Sequence, residues 1–123
     1  MLHAREPESF DAKKEDCRLQ VSLSDNRKAM IAIEIKQAKH PELWTAAKTQ
    51  LVDKYMKEHN TCFGLYLVGW YGADQPIVAM PGERMRKQFN TTMDLEIALQ
   101  KVVNQDLKGT DKQVRVIVYD CTV

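Results

Sequence analysis

The feature that most constrains this chain is an alternating stretch from Met30 to Gln37. Its three isoleucines alternate with an alanine, Glu34 and Lys36, and strict alternation of β-branched residues indicates a β-strand. Because successive side chains point to opposite faces, Glu34 and Lys36 are expected on one face, about 7 Å apart, with the isoleucines anchoring the other face in a core. A carboxylate beside an ammonium on a rigid strand suits metal-dependent phosphodiester hydrolysis, and an exposed salt bridge is the alternative interpretation.

Composition narrows the class of protein. The 123 residues suffice for one small domain, and 44% hydrophobic with 28% charged residues is typical of a globular chain. The formal net charge of +1 excludes a global basic field, so nucleic-acid binding would need a local patch. Three widely spaced cysteines without a CxxC pair argue for a reducing compartment and against a closed zinc site. With no apolar run of membrane-spanning length and no secretory leader, we expect a cytoplasmic protein.

A second alternating stretch precedes the first. Apolar and polar residues alternate from Asp16 onward, which predicts a half-buried strand, and the polar cluster at 24–28 predicts a hairpin turn. Matching the apolar faces of the two strands pairs Arg18 with Glu34 and Asp16 with Lys36. Asp16 would then share a face with Glu34 and Lys36, an arrangement that a simple solvated face does not require. The alternative is that Asp16 only starts the strand or belongs to a turn.

The chain after this hairpin predicts a helix that ends near Glu58. Pro41 suits the first turn, where its missing N–H costs nothing, and Glu42 complements the positive end of the helix dipole. An apolar stripe at helical spacing, which we interpret as core packing, consists of Leu43, Trp44, Ala47, Leu51, Val52, Tyr55 and Met56. His40 is either a helix-entry residue or a phosphate-side donor. Gln50 is either a surface residue or one that reaches back to the strand.

The remaining chain predicts parallel strands joined by helices. The apolar run 62–71 has the length and composition of a strand buried on both faces, and the strand–helix–strand order indicates a parallel crossover. Residues 90–92 offer caps for a second helix, which Gly109 closes, and the last strand starts at Val114. This order predicts an α/β sandwich around a mixed sheet.

A long connection separates the apolar run from the second helix. It spans Gly72 to about Asn90 and carries a basic cluster of Arg84, Arg86 and Lys87. Loops after central strands often carry binding residues, so these three cations are candidate phosphate contacts. The alternative is that they are merely solvated.

The order and spacing of these motifs resemble the PD-(D/E)xK nucleases, a superfamily also called restriction-endonuclease-like. The resemblance rests on Asp16, on Glu34-Ile35-Lys36 and on the segments 40–44 and 64–68. It implies a mixed β-sheet, with an antiparallel hairpin plus parallel crossover strands, flanked by helices. The family's usual N-terminal helix is missing from this layout.

The resemblance and the composition together give expected boundaries. Residues 15–123 would form the nuclease-like α/β domain, and residues 1–14, which are polar and unpatterned, a flexible or partly ordered N-terminal segment.

By the same resemblance, particular residues acquire catalytic roles. Asp16 and Glu34 would ligate a metal together with the backbone carbonyl of Ile35, and Lys36 would orient or activate the attacking water. Oxygen ligands imply Mg²⁺, with Mn²⁺ as a substitute. Glu15 stands where the family usually has proline, and it is an alternative metal ligand.

The function implied by the resemblance is metal-dependent hydrolysis of DNA phosphodiester bonds by an endonuclease, in bacterial defence or repair. The alternative is a catalytically silent module of the same fold that binds nucleic acid or protein within a larger assembly; the near-neutral charge favours it. The expected partners are DNA and either a second copy in a homodimer or the remainder of a larger protein, with no membrane contact.

Overall fold

A computed structural model of the chain describes residues 2–5, 17–22 and 28–122, with side chains described from Met30 onward. Glu15 and Asp16, two of the predicted site residues, lie outside these ranges. The regular elements in chain order are β1 (Leu2–Arg5), β2 (Cys17–Ser22), β3 (Lys28–Gln37), a π-helix (Ala47–Met56), β4 (Phe63–Trp70), α1 (Thr92–Asp106) and β5 (Gln113–Asp120).

The strands form a five-stranded sheet in the order β1-β2-β3-β4-β5. β1 and β3 pair antiparallel with β2, whereas β3, β4 and β5 run parallel. The architecture is therefore mixed α/β with parallel crossovers, as predicted from the order of the elements. β1 was not predicted from the sequence, because four residues are too few for an alternation to be recognised.

The register of the β2–β3 pair differs from the predicted one by two residues. Cys17 pairs with Ile33, and Arg18 pairs with Ala32, so the predicted pairing of Arg18 with Glu34 was wrong. Matching of faces distinguishes only odd from even positions, and a shift of two residues satisfies it equally well. The predicted pairing of Asp16 with Lys36 rested on the same register.

Both helices pack on one face of the parallel part of the sheet. Right-handed crossovers that proceed in one direction across a sheet place their helices on the same side. Side chains at even positions of β3, β4 and β5 point to this helix-covered face. Seven of them form one core with buried residues of both helices; these strand residues are Ala32, Tyr66, Val68, Trp70, Val114, Val116 and Val118. The opposite, open face carries the odd positions of the same strands.

The predicted assignment of the two faces of β3 was also wrong. Glu34 lies on the helix-covered face and is 2% exposed, whereas Ile35 lies on the open face and is 40% exposed. Of the other isoleucines, Ile33 is buried and Ile31 is half-buried. β4, predicted to be buried on both faces, exposes half of Phe63 on the open face. Alternation separates two faces, but it does not say which one the helices cover.

All seven residues of the predicted core-facing stripe are buried. The predicted start of the helix at Pro41 was wrong, because the helix begins at Ala47, so Leu43 and Trp44 reach the core from the turns before it.

The winding of the first helix is of the π type, which brings side chains five residues apart onto adjacent turns. Lys48 and Asp53 use this spacing to form a 2.6 Å ion pair. At the start of α1, the predicted cap Thr91 accepts the backbone N–H of Asp94.

The outer edge of β5 is covered by two side chains of α1. Gln100 accepts the N–H of Val116 and donates to the carbonyl of Val114, both at 2.8 Å. Glu96 accepts the N–H of Val118 at 2.8 Å. Unpaired edge groups are templates for association with another chain, so these two side chains protect the edge.

Candidate active site

The candidate site lies near the C-terminal end of β3. Glu34 and Lys36 share the helix-covered face, and Lys36 Nζ is 3.1 Å from Glu34 Oε1. The side chains are only 2% exposed for Glu34 and 16% for Lys36. The interpretation as an exposed, solvated salt bridge was therefore wrong, because burial removes most of the solvent screening that weakens surface pairs.

Ile35, between these two residues, points its backbone carbonyl away from β4. The Ala38 N–H donates to Gly69 of β4 at 2.9 Å, and backbone groups of successive strand residues point alternately to the two neighbouring strands. The Ile35 carbonyl therefore lies on the β2 side, two residues beyond the Ile33 position that pairs with Cys17.

Tyr66 of β4 lies beside Glu34 in the parallel pair. Its side chain is buried, and its hydroxyl donates a 2.7 Å hydrogen bond to the carbonyl of Leu43. Burial raises the pKa of Tyr66 well above its ordinary value, and the negative charges of Glu34 and Glu42 raise it further. Tyr66 is therefore a neutral donor at neutral pH, and its hydrogen bond connects β4 to the turns before the π-helix.

Glu42 lies in the turns before the π-helix and is exposed. Gln50 donates to Glu42 Oε2 at 2.8 Å in an exposed contact, so this predicted accessory residue binds Glu42. His40 Nδ1 accepts the backbone N–H of Glu42 at 3.0 Å, a local contact in the turns before the π-helix.

The three candidate phosphate contacts lie on the connection after β4. Arg84, Arg86 and Lys87 are exposed, and Lys87 Nζ lies 5.8 Å from the centre of the Phe89 ring. Within the described ranges, none of the three forms an ion pair with a carboxylate.

A magnesium ion, implied by the resemblance, fits the described donors in part. The Glu34 carboxylate and the Ile35 carbonyl are hard oxygen donors of the kind that Mg²⁺ binds. Among residues 2–5, 17–22 and 28–122, no group of three or more His, Cys, Asp or Glu side chains is arranged to hold a metal. A complete set would need Asp16 or Glu15, which lie outside these ranges.

The place of Tyr66 beside Glu34 was not predicted from the sequence, and neither was the contact between Glu42 and Gln50. Tyr66 was one apolar residue in a strand, and its place beside Glu34 depends on the β3–β4 register, which no short motif encodes. Glu42 was assigned only to the helix dipole. Because Glu42 lies in the turns before the helix starts at Ala47, no helical spacing indicated its contact with Gln50.

A family described as Domain of unknown function (DUF8371) matches residues 12–73. The chain belongs to this family. The matched segment includes β2, β3, the π-helix and β4, and therefore Glu34, Lys36 and Tyr66. No curated protein and no solved structure matches the chain. In the part of the chain that the structure describes, neither helix has the length and apolar character needed to span a bilayer.

Proposed function

We propose that this chain is a cytoplasmic, metal-dependent endonuclease of the restriction-endonuclease-like type that hydrolyses DNA phosphodiester bonds in bacterial defence or repair. One observation carries the proposal: the buried pair of Glu34 and Lys36 near the end of a central parallel strand. The mixed sheet with helices after β3 and β4 supports it, since it provides the expected sequence of elements around this pair.

A gain in folding stability does not explain why this pair is buried. At 3.1 Å, two unit charges attract each other by about 5 kcal/mol at an effective dielectric constant of about 20. Removing each ion from water costs several kcal/mol, and apolar residues of similar volume are often as stable as a buried pair or more so. Buried charges in such positions are candidates for a chemical role.

Each residue of the site has a defined role in the proposal. Glu34 and the Ile35 carbonyl would hold Mg²⁺ together with Asp16 or Glu15, and Lys36 Nζ would orient the attacking water or take up its proton. When bound, Mg²⁺ supplies stabilisation of the charge that develops on the phosphate. Mn²⁺ would substitute for it, because both ions accept carboxylate and carbonyl oxygens.

The cations of the β4–α1 connection have a supporting role. Arg84, Arg86 and Lys87 would contact DNA phosphates, which position the duplex without reading its sequence.

Cleavage of plasmid and linear DNA with Mg²⁺ or Mn²⁺ tests the proposal. The variants are Glu34→Gln, Lys36→Met and the double apolar replacement Glu34→Leu/Lys36→Met, with Lys101→Met, an exposed lysine of α1, as the matched control. We expect metal-dependent cleavage by wild type and control, and a loss of about 10²-fold or more in the other three. Circular dichroism checks that each variant is folded.

Two results would contradict the proposal. Equal cleavage by all five proteins would indicate a contaminating nuclease. Absence of cleavage by folded wild-type protein with either metal would refute the enzyme.

A second candidate function is a catalytically silent module of the same fold within a larger assembly. It is favoured by the open face of the sheet, where Ile35, Phe63 and Ile117 are 40–50% exposed. A thermal denaturation series with Mg²⁺ separates the two functions, because a metal that binds only the folded protein raises its melting temperature. The silent module predicts no shift.

A further inference from the structure

The connection between β4 and α1 has an exposed tip on a buried base. Residues 71–91 form no helix or strand, and irregular connections of this length are usually functional. Ile77 and Phe89 are both 4% exposed and anchor the connection in the core. Between these anchors, every residue of the tip, defined as 81–88, is exposed.

The base is connected to the candidate active site by direct contacts. Trp44 Nε1 donates to the Val78 carbonyl at 2.8 Å, and the rings of Trp44 and Phe89 lie 5.9 Å apart. The residue before Trp44, Leu43, accepts the Tyr66 hydroxyl. The connection starts at the C-terminal end of β4. Because β3 and β4 run parallel, the C-terminal end of β3 lies at the same end of the sheet.

The tip combines positive charge with an exposed apolar side chain. Arg84, Arg86 and Lys87 against Glu83 give it a charge of +2, compared with +1 for the whole chain. Met85, between the two arginines, is 80% exposed. A methionine this exposed contributes little to the stability of the fold, since it buries little area.

We propose that this tip binds the minor groove of double-stranded DNA, with Met85 as an apolar wedge against a base step and Arg84 and Arg86 in the groove beside it. The inference rests on the proposed function and names the form of its substrate. Proteins that bind the minor groove combine cations, which its negative potential attracts, with apolar side chains that partly unstack a base step.

The length of the tip permits contact with this groove. Eight residues that run out and back extend at most about 13 Å from their base. The minor groove of B-DNA is about 7.5 Å deep and about 6 Å wide. The side chains at the tip can therefore reach the base edges while the backbone, too wide for the groove, stays at its rim.

The experiment measures binding and base unstacking without cleavage. A short duplex carrying 2-aminopurine, whose fluorescence rises on unstacking, is titrated in EDTA, and again with Ca²⁺ in place of Mg²⁺, over a range of salt concentrations. The variants are Met85→Ala and the double variant Arg84→Ala/Arg86→Ala. The matched controls are Met93→Ala, a methionine of α1 that is 59% exposed, and Lys108→Ala, an exposed lysine after α1.

We expect wild type and controls to bind the duplex and raise its fluorescence. Met85→Ala should lose the fluorescence rise and bind about five- to tenfold more weakly, with an unchanged salt dependence. The double arginine variant should reduce the slope of log K against log salt by up to about 1.8, since each arginine that neutralises phosphate charge along the groove contributes about 0.9.

Three results would overturn the inference. The first is that Met85→Ala keeps the fluorescence rise and the affinity of the wild type, and the second is equal binding of an RNA duplex, whose minor groove is wide and shallow. The third is binding of polyglutamate but not of DNA, which would indicate an acidic protein partner. If cleavage depends on Lys36 but DNA binding does not depend on the tip, the proposed nuclease activity stands and the minor-groove inference fails. If DNA binding depends on the tip but no metal-dependent cleavage occurs, the minor-groove inference stands and the proposed nuclease activity fails.

Discussion

The two faces of the parallel sheet differ in burial, and the hydrophobicity of the β3 sequence does not predict which face is buried. The helix-covered face carries small residues and a charge on β3, Ala32 and Glu34, whereas the open face carries Ile35 and, on β5, Ile117. On β3, Ile35 is thus far more exposed than the charged Glu34, whereas Ile33, on the same face as Ile35, is buried. The buried face gains its stability from what packs on it, and it holds the candidate active site.

Close packing explains why two small residues, Ala32 and Gly64, lie side by side on the covered face. A Cβ on Gly64 would lie 2.8 Å from Met56 Sδ and 3.1 Å from a methyl carbon of Leu51, so the π-helix touches the backbone of β4 at this position. Ala32, next to Gly64 across the parallel pair, is fully buried. A helix packs close to a sheet where the side chains between them are small, so Ala32 and Gly64 indicate the covered face better than the isoleucines do.

The largest expected effect tests the charge on the covered face. Lys36→Ala should lower the free energy of unfolding by about 3–5 kcal/mol, because it leaves a buried carboxylate without its ammonium. Glu34→Leu/Lys36→Met should recover most of this loss, since it removes both charges. Urea denaturation followed by tryptophan fluorescence measures both variants. A small loss in Lys36→Ala would mean that the pair is hydrated in solution, and the contrast between the faces would weaken.

The next prediction compares two glycines of β4 on opposite faces. Gly64→Ala should cost about 1–3 kcal/mol by overpacking against the π-helix. Gly69→Ala, on the open face, should change stability by less than about 0.5 kcal/mol, since its Cβ would meet its nearest neighbours at an ordinary 3.4 Å. The same denaturation assay measures both. Equal costs would show that the open face is as tightly packed as the covered one.

The order of the elements could be predicted from periodicity, and the details of pairing could not. Alternation located β2 and β3, and helical spacing located the stripe of the π-helix, because each pattern is local. The alternation of β2 and β3 has a period of two, so registers that differ by two residues match the faces equally well. The sequence therefore allowed Arg18 to pair with either Ala32 or Glu34, and it pairs with Ala32. Which face of β3 is buried depends on where the two crossovers place their helices, and that is a property of the whole chain.

The candidate site was predictable to the same extent. Glu34 and Lys36 follow from a strand of period two, and their proximity was confirmed. The place of Tyr66 depends on a parallel partner 32 residues away, as the pairing with Glu34 shows. Such long-range contacts are fixed by tertiary packing and leave no local motif.

A smaller effect is expected at Tyr66, the neutral group of the covered face. Tyr66→Phe should cost about 1 kcal/mol near neutral pH, because it removes the hydrogen bond to Leu43. Its raised pKa adds a pH dependence: the folded state resists ionisation of Tyr66, so wild-type stability should be retained below about pH 10 and fall above it.

The control for this dependence is the phenylalanine variant itself. Tyr66→Phe lacks the ionisable group, so its stability should fall less steeply than that of wild type between about pH 10 and 11.5, by up to about 1.4 kcal/mol per pH unit. Urea midpoints measured across this range compare the two proteins. Parallel curves would show that the Tyr66 hydroxyl is accessible to water in solution, contrary to its burial.

The smallest expected effect lies on the open face. Ile117→Thr should change the free energy of unfolding by less than about 0.5 kcal/mol, because Ile117 is already 40% exposed and threonine keeps the β-branched shape that suits a strand. Denaturation at several protein concentrations makes the test sharper. A cost above about 2 kcal/mol together with a concentration-dependent midpoint would mean that a second copy covers this face in solution, since only association makes stability depend on concentration. The difference between the two faces would then hold for the isolated chain alone.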